Sequence, residues 1–404
     1  MTTGHDEVRR WGVAGLGRAF TMMLPTLRAD PRVRLVAAAD PRAEARAQFA
    51  ADFGAPAYQT VEELCADRAV EVVYVATPHE LHAAHAMLAA RGGKHVLVEK
   101  PMALTLDDCT RMIETADAAG VQLVVGHSHG FDAPIGRARA LIDSGAFGAV
   151  RMIQAFYYTD FMYRPRRPEE LDTARGGGVV WNQAAHQVDV VRLLGGGRVT
   201  SVRALTGNWD ERRATEGAYA ALLTFADGAF ASLAYNGYGY FDADEFCDWI
   251  GELGLPKDRH AQGAARRALA SAADAAAEVA QKNARNYGGA AWRSPVPAQG
   301  GQLHQHFGTL IVSCDHADLR PLPTGVMIYD AGGARLDPLP PPVVPRREVI
   351  DELHQAMATG APALHDGRWA RATLEVCAAL LDSARLHRDI ALANQVAVRR
   401  APER

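Results

Sequence analysis

The sequence contains few cysteines, the residues that cross-link many secreted domains and bind structural zinc. It has 404 residues but only five cysteines, and none of them forms a Cys-x-x-Cys pair. Such wide spacing argues against a disulfide framework and against a structural zinc site. We therefore expect a reducing compartment, and with it a cytoplasmic location. The cysteines are Cys65, Cys109, Cys247, Cys314 and Cys377.

Long apolar runs and a strong charge of one sign are also missing. Residues 1–10 are polar and charged and lead straight into an apolar run, so no signal peptide is expected. No apolar run approaches the length that crosses a bilayer. The formal net charge is only −4, so nothing in the overall charge suggests a nucleic-acid partner or an acidic tail. The expected partner is a small molecule.

The chain length and its hydrophobic patterns predict two α/β domains. Between residues 11 and 125, short apolar runs alternate with helix-period stretches, which is typical of βαβ units around a parallel sheet. After Gly126 the runs are longer, and a hairpin turn over residues 226–229 predicts an antiparallel or mixed sheet. We predict a dinucleotide-binding domain over residues 1–128 and a substrate-binding and oligomerisation domain over residues 129–404.

Helices are predicted late in the chain. An alanine-rich segment, residues 261–285, has high helical propensity and is expected to form a helical insert in the second domain. Residues 338–342 form a proline-rich connector. Two closing helices are expected over residues 346–359 and 368–386.

The first apolar run leads into a glycine-rich turn, Gly15-Leu-Gly17-Arg18-Ala-Phe20, and then into a helix. This is the context that a GxGxxG-type dinucleotide-binding turn requires. We expect Gly15 to make the tight turn and Gly17 to let the backbone approach a pyrophosphate over the exposed helix amides. Phe20 replaces the third glycine, so the turn alone is a weak signal.

A carboxylate after the next apolar run strengthens this interpretation. Asp40 follows the run 33–39, where a carboxylate can accept hydrogen bonds from the ribose hydroxyls. An acidic residue there repels a 2′-phosphate and favours NAD over NADP. Arg42 keeps NADP possible, because a guanidinium can bind that phosphate. The alternative for Asp40 is a helix-capping residue.

Three further segments resemble the Gfo/Idh/MocA family of oxidoreductases. Residues 75–82 contain the Thr77-Pro78 turn, and residues 93–102 contain Glu99-Lys100-Pro101. Residues 176–189 run from three glycines through Asn182 to His186. The resemblance implies a doubly wound Rossmann domain joined to an α/β domain with a large open, mainly antiparallel sheet. Because this sheet often mediates oligomerisation in the family, a homo-oligomer, dimer or tetramer, is expected.

The resemblance implies catalytic roles for Lys100 and His186. Lys100 is expected to contact the reacting oxygen near the nicotinamide, where an ammonium can stabilise a developing alkoxide, and Pro101 beside it to form an unusual peptide bond. His186 matches the histidine that removes the hydroxyl proton as hydride leaves; a buried structural histidine is the alternative. Asn182 stands where many members carry aspartate, so it can hydrogen-bond a hydroxyl but offers no carboxylate.

Further cofactor contacts follow from the family's placement of the Thr77-Pro78 turn beside the nicotinamide ribose. His79, His82 and His85 share a three-residue spacing that also suits metal ligands, but no cysteine or carboxylate partner is nearby, so no metal is expected. The expected cofactor site comprises Gly15, Gly17, Arg18, Phe20, Asp40, Arg42, Thr77, Pro78, His79, His82, Glu99, Lys100 and Pro101.

Residues 207–219 and 241–254 narrow the resemblance to the branch that includes phthalate 4,5-cis-dihydrodiol dehydrogenases. These enzymes oxidise a carboxylated cyclohexadiene diol to the aromatic catechol. Substrate carboxylates need cations, which the arginines of residues 163–167 and Arg175 can supply. The expected substrate contacts are Lys100, His127, Tyr163, Arg164, Arg166, Arg175, Asn182 and His186.

Two other functions stay open from the sequence. A sugar or polyol dehydrogenase, acting for example on inositol, would use Lys100 and His186 on a ring hydroxyl with fewer arginine contacts. A non-catalytic sensor would bind the dinucleotide without turnover. The presence of both Lys100 and His186 argues against the sensor, whereas Asn182 is compatible with it.

Overall fold

The computed structural model describes residues 7–293 and 302–399 and divides the chain into two compact units. Residues 1–6, part of the polar amino terminus analysed above, lie outside the described residues. The functional division at residues 128 and 129 stays a prediction. The first unit comprises Met1–His127, Ala276–Val296 and Val344–Arg371, and the second comprises Ser128–Ala275, Pro297–Val343 and Ala372–Arg404.

The first unit is built on a six-stranded parallel sheet with the strand order β3-β2-β1-β4-β5-β6. The order reverses between β1 and β4, and in such sheets ligands bind at the carboxyl ends of the strands beside the reversal. The strands are β1 (Arg9–Ala14), β2 (Val33–Ala39), β3 (Ala57–Tyr58), β4 (Val72–Val75), β5 (His95–Val98) and β6 (Leu123–Val125). The helices are α1 (Arg18–Ala29), α2 (Ala43–Phe53), α3 (Val61–Ala66), α4 (His82–Arg91) and α5 (Leu106–Ala119).

The apolar runs of the sequence form these strands because both of their faces are covered. All four residues of β4 are buried, which is the pattern of a central parallel strand. Helix α1 begins at Arg18, directly after the glycine turn, as the sequence predicts. The predicted parallel sheet is confirmed.

The second unit contains a nine-stranded mixed sheet with the order β14-β13-β12-β11-β7-β10-β9-β8-β15. Strands β10 and β7 are parallel, and the other neighbours are antiparallel. The predicted mainly antiparallel sheet is therefore confirmed. Its strands are β7 (Val150–Tyr158), β8 (Val199–Gly207), β9 (Ala218–Phe225), β10 (Phe230–Asn236), β11 (Thr309–Cys314), β12 (Ala317–Leu322), β13 (Gly325–Asp330), β14 (Gly333–Pro338) and β15 (Ile390–Ala391). The remaining α-helices of the described chain, which are divided between the two units, are α6 (Ala133–Asp143), α7 (Ala185–Leu194), α8 (Ala264–Ala270), α9 (Ala275–Ala284), α10 (Arg347–Thr359) and α11 (Gly367–Leu386).

One face of the nine-stranded sheet is buried and the other is open. Along β7 and β9, buried residues alternate with more exposed ones, as expected when only one face of a sheet is packed. Several apolar side chains lie on the exposed positions. Among them are Leu205, Leu222 and Phe230, which are 59%, 45% and 42% exposed.

The alanine-rich insert forms two helices, α8 and α9, rather than the one predicted over residues 261–285. The break follows Ser271, whose hydroxyl donates a hydrogen bond back to the carbonyl of Ala268 at 2.6 Å. A serine that bonds to its own backbone in this way competes with continuation of the helix. Helix α8 belongs to the second unit, whereas the segment Ala276–Val296, which contains nearly all of α9, belongs to the first.

The first unit is completed by residues from near the end of the chain. The ring of His354 in α10 stacks on Trp11 of β1 with the ring centres 6.4 Å apart. Before α11 begins, the carbonyl of His365 accepts a hydrogen bond from the amide of Val125 in β6 at 2.9 Å. Residues near the end of the chain therefore pack against the parallel sheet and bond to its edge strand β6.

Candidate functional site

The glycine turn after β1 is shaped for a close approach of backbone to ligand. Gly15 has a φ of +93°, and a Cβ added there would lie 2.7 Å from the carbonyl oxygen of Ala76. Only glycine adopts this conformation without strain. A Cβ added at Gly17 meets no described atom within 4 Å, so the space above this amide is open. The turn fits a dinucleotide pyrophosphate at the amino terminus of α1.

Asp40 and Arg42 form one connected network at the end of β2. Asp40 is buried, and its Oδ2 accepts a hydrogen bond from the amide of Leu16 at 2.8 Å. Its Oδ1 accepts from the backbone amide of Arg42 at 2.9 Å and from Arg42 Nε at 3.0 Å. Arg42 Nη2 also donates to the carbonyl of Leu16 at 2.8 Å. The carboxylate is thereby fixed beside the glycine turn.

Arg18 and Phe20, the other two residues of this turn that are predicted to contact the cofactor, differ in exposure. Arg18 is exposed at the first position of α1. Phe20 is fully buried, and its ring packs against Phe49 at 6.4 Å and against Tyr287 at 5.0 Å. The Phe20 side chain therefore packs in the core beside the glycine turn. This packing accounts for an aromatic residue at the position of the third glycine.

A buried histidine joins the ends of β4 and β5. The ring nitrogens of His82 lie 2.8 Å from the carbonyl oxygen of Pro101 and 2.9 Å from that of Thr77. Burial lowers the pKa of His82. The Lys100–Pro101 peptide bond is cis, as the resemblance implied. Lys100 and the Thr77-Pro78 turn are thus held at neighbouring strand ends by the ring of His82.

The remaining predicted residues of the first unit lie close to this point. His79 begins a short 3-10 helix after Pro78, with its ring centre 5.5 Å from that of His82. Glu99 is buried and accepts a hydrogen bond from the hydroxyl of Tyr74, and burial raises its pKa. His127 is buried two residues beyond β6. Within residues 7–293 and 302–399, no three His, Cys, Asp or Glu side chains are grouped so that they could hold a metal ion.

Asn182 and His186 lie at a junction of two helix types. Val180–Ala184, which contains Asn182, is a π-helix, and α7, which contains His186, begins at Ala185. Asn182 Nδ2 donates to the carbonyl of Gly178 at 2.8 Å and lies 3.3 Å from that of Gly176. The glycine run therefore orients the asparagine amide through its nitrogen.

The ring of His186 belongs to a buried aromatic cluster of the second unit. It lies 4.9 Å from the ring of His129 and 5.1 Å from that of Phe307, measured between ring centres. Phe307 also packs against Tyr157 at 5.1 Å and stacks on Tyr235 at 6.2 Å. A flat apolar wall beside a titratable ring suits a cyclic substrate.

His129 is itself held by two carboxylates. Its Nδ1 lies 2.6 Å from Asp132 Oδ2, and its Nε2 lies 3.6 Å from Glu252 Oε1. Burial opposes a charged ring, but the charge and hydrogen bonds of the two carboxylates outweigh it and raise the pKa of His129 to about 9. The ring beside His186 is therefore an imidazolium at neutral pH.

The predicted arginines differ in their surroundings. The guanidinium of Arg166 lies 3.7 Å from the ring centre of Phe161 and donates to its carbonyl at 2.7 Å, and burial lowers the pKa of Arg166 to about 10. Arg164 is exposed and lies 3.8 Å from Asp160. Tyr163 is buried beneath the guanidinium of Arg266, and Arg175 is exposed. Arg166 is thus the most enclosed of the predicted cations.

Comparison with known proteins agrees with this architecture. Residues 9–127 match an oxidoreductase family with an NAD-binding Rossmann fold, and residues 135–254 match the GFO/IDH/MocA C-terminal domain. The chain belongs to the Gfo/Idh/MocA family of oxidoreductases. The predicted family, the dehydrogenase class and the NAD-binding Rossmann domain are confirmed. The roles of individual site residues stay predictions.

Two of the most similar proteins span nearly the whole chain. The first is 1-carboxy-3-chloro-3,4-dihydroxycyclohexa-1,5-diene dehydrogenase of Comamonas testosteroni, with 48% identity over 92% of this chain and 94% of the relative. The second is a solved structure from Bordetella bronchiseptica, with 41% identity, a TM-score of 0.89 and coverage of 95% and 100%. A more distant relative is myo-inositol 2-dehydrogenase of Thermotoga maritima, with 30% identity over 48% of this chain and 57% of its own length.

No helix within the described parts of this Gfo/Idh/MocA family member is long and apolar enough to cross a membrane. This result covers residues 7–293 and 302–399 only.

Several residues of the site were missed by the sequence argument. Asp132 is one of them, although its position three residues after His129, which follows the last strand of the parallel sheet, is a signal that was available. Glu252 and Phe307 carry no comparable local signal. They join the cluster through tertiary structure, from a loop and from the residues before β11, and each contacts His129.

The His129–Asp132 pair predicts a pH-dependent stability. The pKa of His129 is raised on folding, so its contribution is complete below the unfolded pKa of about 6.5 and is lost as pH rises through about 9. Asp132→Asn should lower the free energy of unfolding by roughly 3 kcal/mol at pH 6, and by much less at pH 10. Urea unfolding at both pH values measures this difference.

Asp315→Asn is the matched control for this experiment, because Asp315 pairs with Arg151 at the surface. Its effect should be small at both pH values. Equal destabilisation of Asp132→Asn at pH 6 and pH 10 would contradict the ion pair.

Proposed function

We propose that this enzyme oxidises a carboxylated cyclohexadiene cis-diol to the corresponding aromatic catechol, with NAD as the electron acceptor. The observation that carries the proposal is the similarity, over nearly all of both chains, to a dehydrogenase named for a carboxylated dihydroxycyclohexadiene. Similarity of this extent favours a substrate of the same chemical class. The buried aromatic cluster and the enclosed Arg166 support it further, since a flat ring and a carboxylate need an apolar wall and a cation.

We assign Lys100 and His186 as the catalytic residues. A nicotinamide dinucleotide held at the glycine turn of Gly15 and Gly17 would supply the acceptor for the hydride on the carbinol carbon of the substrate. His186 takes the hydroxyl proton in the same step, and the Lys100 ammonium stabilises the oxygen as it becomes a carbonyl. Asn182, whose amide nitrogen is held by the glycine run, presents its oxygen to the second hydroxyl.

Rearomatisation completes the reaction. The ketone formed by hydride loss still carries a hydrogen on the neighbouring carbinol carbon. Loss of this hydrogen as a proton to solvent, and protonation of the ketone oxygen, give the catechol. The gain of aromaticity makes the overall oxidation strongly favourable, so measurable NADH formation is expected at neutral pH.

The test is NADH formation, followed by absorbance, with purified protein, NAD and a substrate panel. The panel contains carboxylated cis-dihydrodiols, the same diols without the carboxylate, inositols and pyranoses. We expect turnover with the carboxylated diols, and a higher KM with little change in kcat when the carboxylate is absent. Activity only on inositols or pyranoses would move the enzyme to the polyol class and overturn the proposal. Binding of NAD without turnover of any compound would favour a sensor.

We also propose that the enzyme is a homo-oligomer in which copies meet through the open face of the nine-stranded sheet. This face exposes Leu205, Leu222 and Phe230 together, and an apolar surface of this kind is typical of a subunit contact.

A further inference from the structure

The end of the insert packs against the adenosine side of the dinucleotide site. We call residues 284–292, which follow α9 and belong to the first unit, the strap. Its central residue, Tyr287, is fully buried and presents its ring edge to Phe20, which lies under the glycine turn. The Tyr287 hydroxyl donates to Asp52 Oδ2 of α2 at 2.7 Å. The strap is thus anchored on the two helices that follow β1 and β2.

Two further contacts restrict the position of the strap. The ring of Trp292 packs edge-on against Tyr287 with the centres 4.8 Å apart. Gly288 has a φ of +74°, and a Cβ added there would lie 2.8 Å from the carbonyl of Glu44 and 2.9 Å from the Cα of Ala45. The strap therefore lies directly on the backbone at the start of α2, two residues after Arg42.

The strap also binds Arg42 itself. The carbonyl of Tyr287 lies 3.3 Å from Arg42 Nη1, on the opposite arm of the guanidinium from the bond to Leu16. Together with the contacts to Asp40, this commits Nε and both terminal nitrogens of Arg42 to protein oxygens. A guanidinium held in this way is not available to clamp a 2′-phosphate, and the carbonyl of Tyr287 would repel one.

We propose that the strap is a specificity element that makes the enzyme select NAD over NADP. By holding Arg42 against Asp40, the strap keeps the carboxylate beside the glycine turn and withholds a neighbouring guanidinium that suits a 2′-phosphate. Release of the strap frees Arg42 to swing towards that phosphate. This inference rests on the proposed use of NAD, but it does not depend on the identity of the substrate.

Equilibrium binding of NAD and NADP to the full-length protein, without substrate, tests the proposal. Tyr287→Ala should weaken NAD binding and lower the preference for NAD over NADP by about tenfold, the effect of one charge-assisted hydrogen bond. Tyr287→Phe keeps the ring contact with Phe20 and should retain most of the preference. The double variant Tyr287→Ala/Arg42→Ala should gain no NADP affinity, because the gain requires the freed guanidinium.

Three results would overturn the proposal. One is an unchanged preference in a folded Tyr287→Ala variant, judged by circular dichroism and thermal midpoint. Another is an NADP gain that persists without Arg42. If Tyr287→Ala fails to fold, hydrogen exchange of the wild-type protein decides: NAD should slow exchange across residues 284–292, and an unchanged rate there would also overturn it. Failure of the diol assay would leave all these binding results untouched, so the two proposals fail separately.

Discussion

Replacement of Lys100 by methionine is expected to lower kcat by about 10²–10³-fold, the usual effect of removing one donor to a developing oxyanion. Lys100 precedes the cis bond to Pro101, and the carbonyl of Pro101 contacts buried His82. The backbone at this point is therefore held by contacts other than the lysine side chain, and methionine preserves its length and apolar stem. The binding constant for NAD should change by less than a few fold.

Steady-state kinetics with a substrate deuterated at the carbinol carbon checks this expectation. If Lys100 acts on the reacting oxygen, the variant should show a larger isotope effect than the wild type, because hydride transfer becomes the slow step. Lys100→Arg keeps a cation at the position and should lose less activity than the methionine variant. An unchanged kcat in Lys100→Met would remove the residue from the reaction.

Replacement of His186 by asparagine is expected to lower kcat by about 10²–10⁴-fold, the range for loss of a general base. The ring of His186 lies in the buried aromatic cluster, with its centre 4.9 Å from that of His129, and a general base acts only in its deprotonated form. The variant should therefore lose the rise of kcat/KM with pH that the wild type shows at acidic pH. Recovery of activity only at high pH, where hydroxide replaces the base, is the further signature.

His387→Asn serves as the matched control for the histidine experiment. His387 is exposed and has a φ of +54°, a conformation that asparagine also adopts readily. This variant should keep both the wild-type kcat and the wild-type pH profile. A His186→Asn variant that behaves in the same way would leave the histidine with a packing role only.

The cofactor half of the site was largely predictable because its signals are local. The spacing along a strand, turn, helix and second strand identifies Gly15, Gly17 and Asp40 in the sequence. The backbone of β1 and β2 then brings these residues together. The fold class followed from the same periodicities. The bounds of α5 also have local signals, since the side chain of Thr105 caps its start and Gly120 ends it in the left-handed conformation.

The substrate half was only partly predictable because it depends on contacts distant in sequence. His186 was found by resemblance, but its neighbours Glu252 and Phe307 arrive from other parts of the chain. The π-helix before α7 has no pattern that separates it from a regular helix in the sequence. The strands β11–β14 and the break between α8 and α9 were likewise missed, since short strands and single serine bonds give weak periodic signals.

The completion of the parallel sheet by late sequence has a consequence for synthesis. Trp11 and Val125 emerge from the ribosome early, but their partners His354 and His365 follow 343 and 240 residues later. At ordinary translation rates, these partners are synthesised on the order of ten seconds or more after the strands that they contact. During that interval Trp11 and the edge strand β6 lack these contacts, and an unpaired strand edge is a site at which other chains can pair.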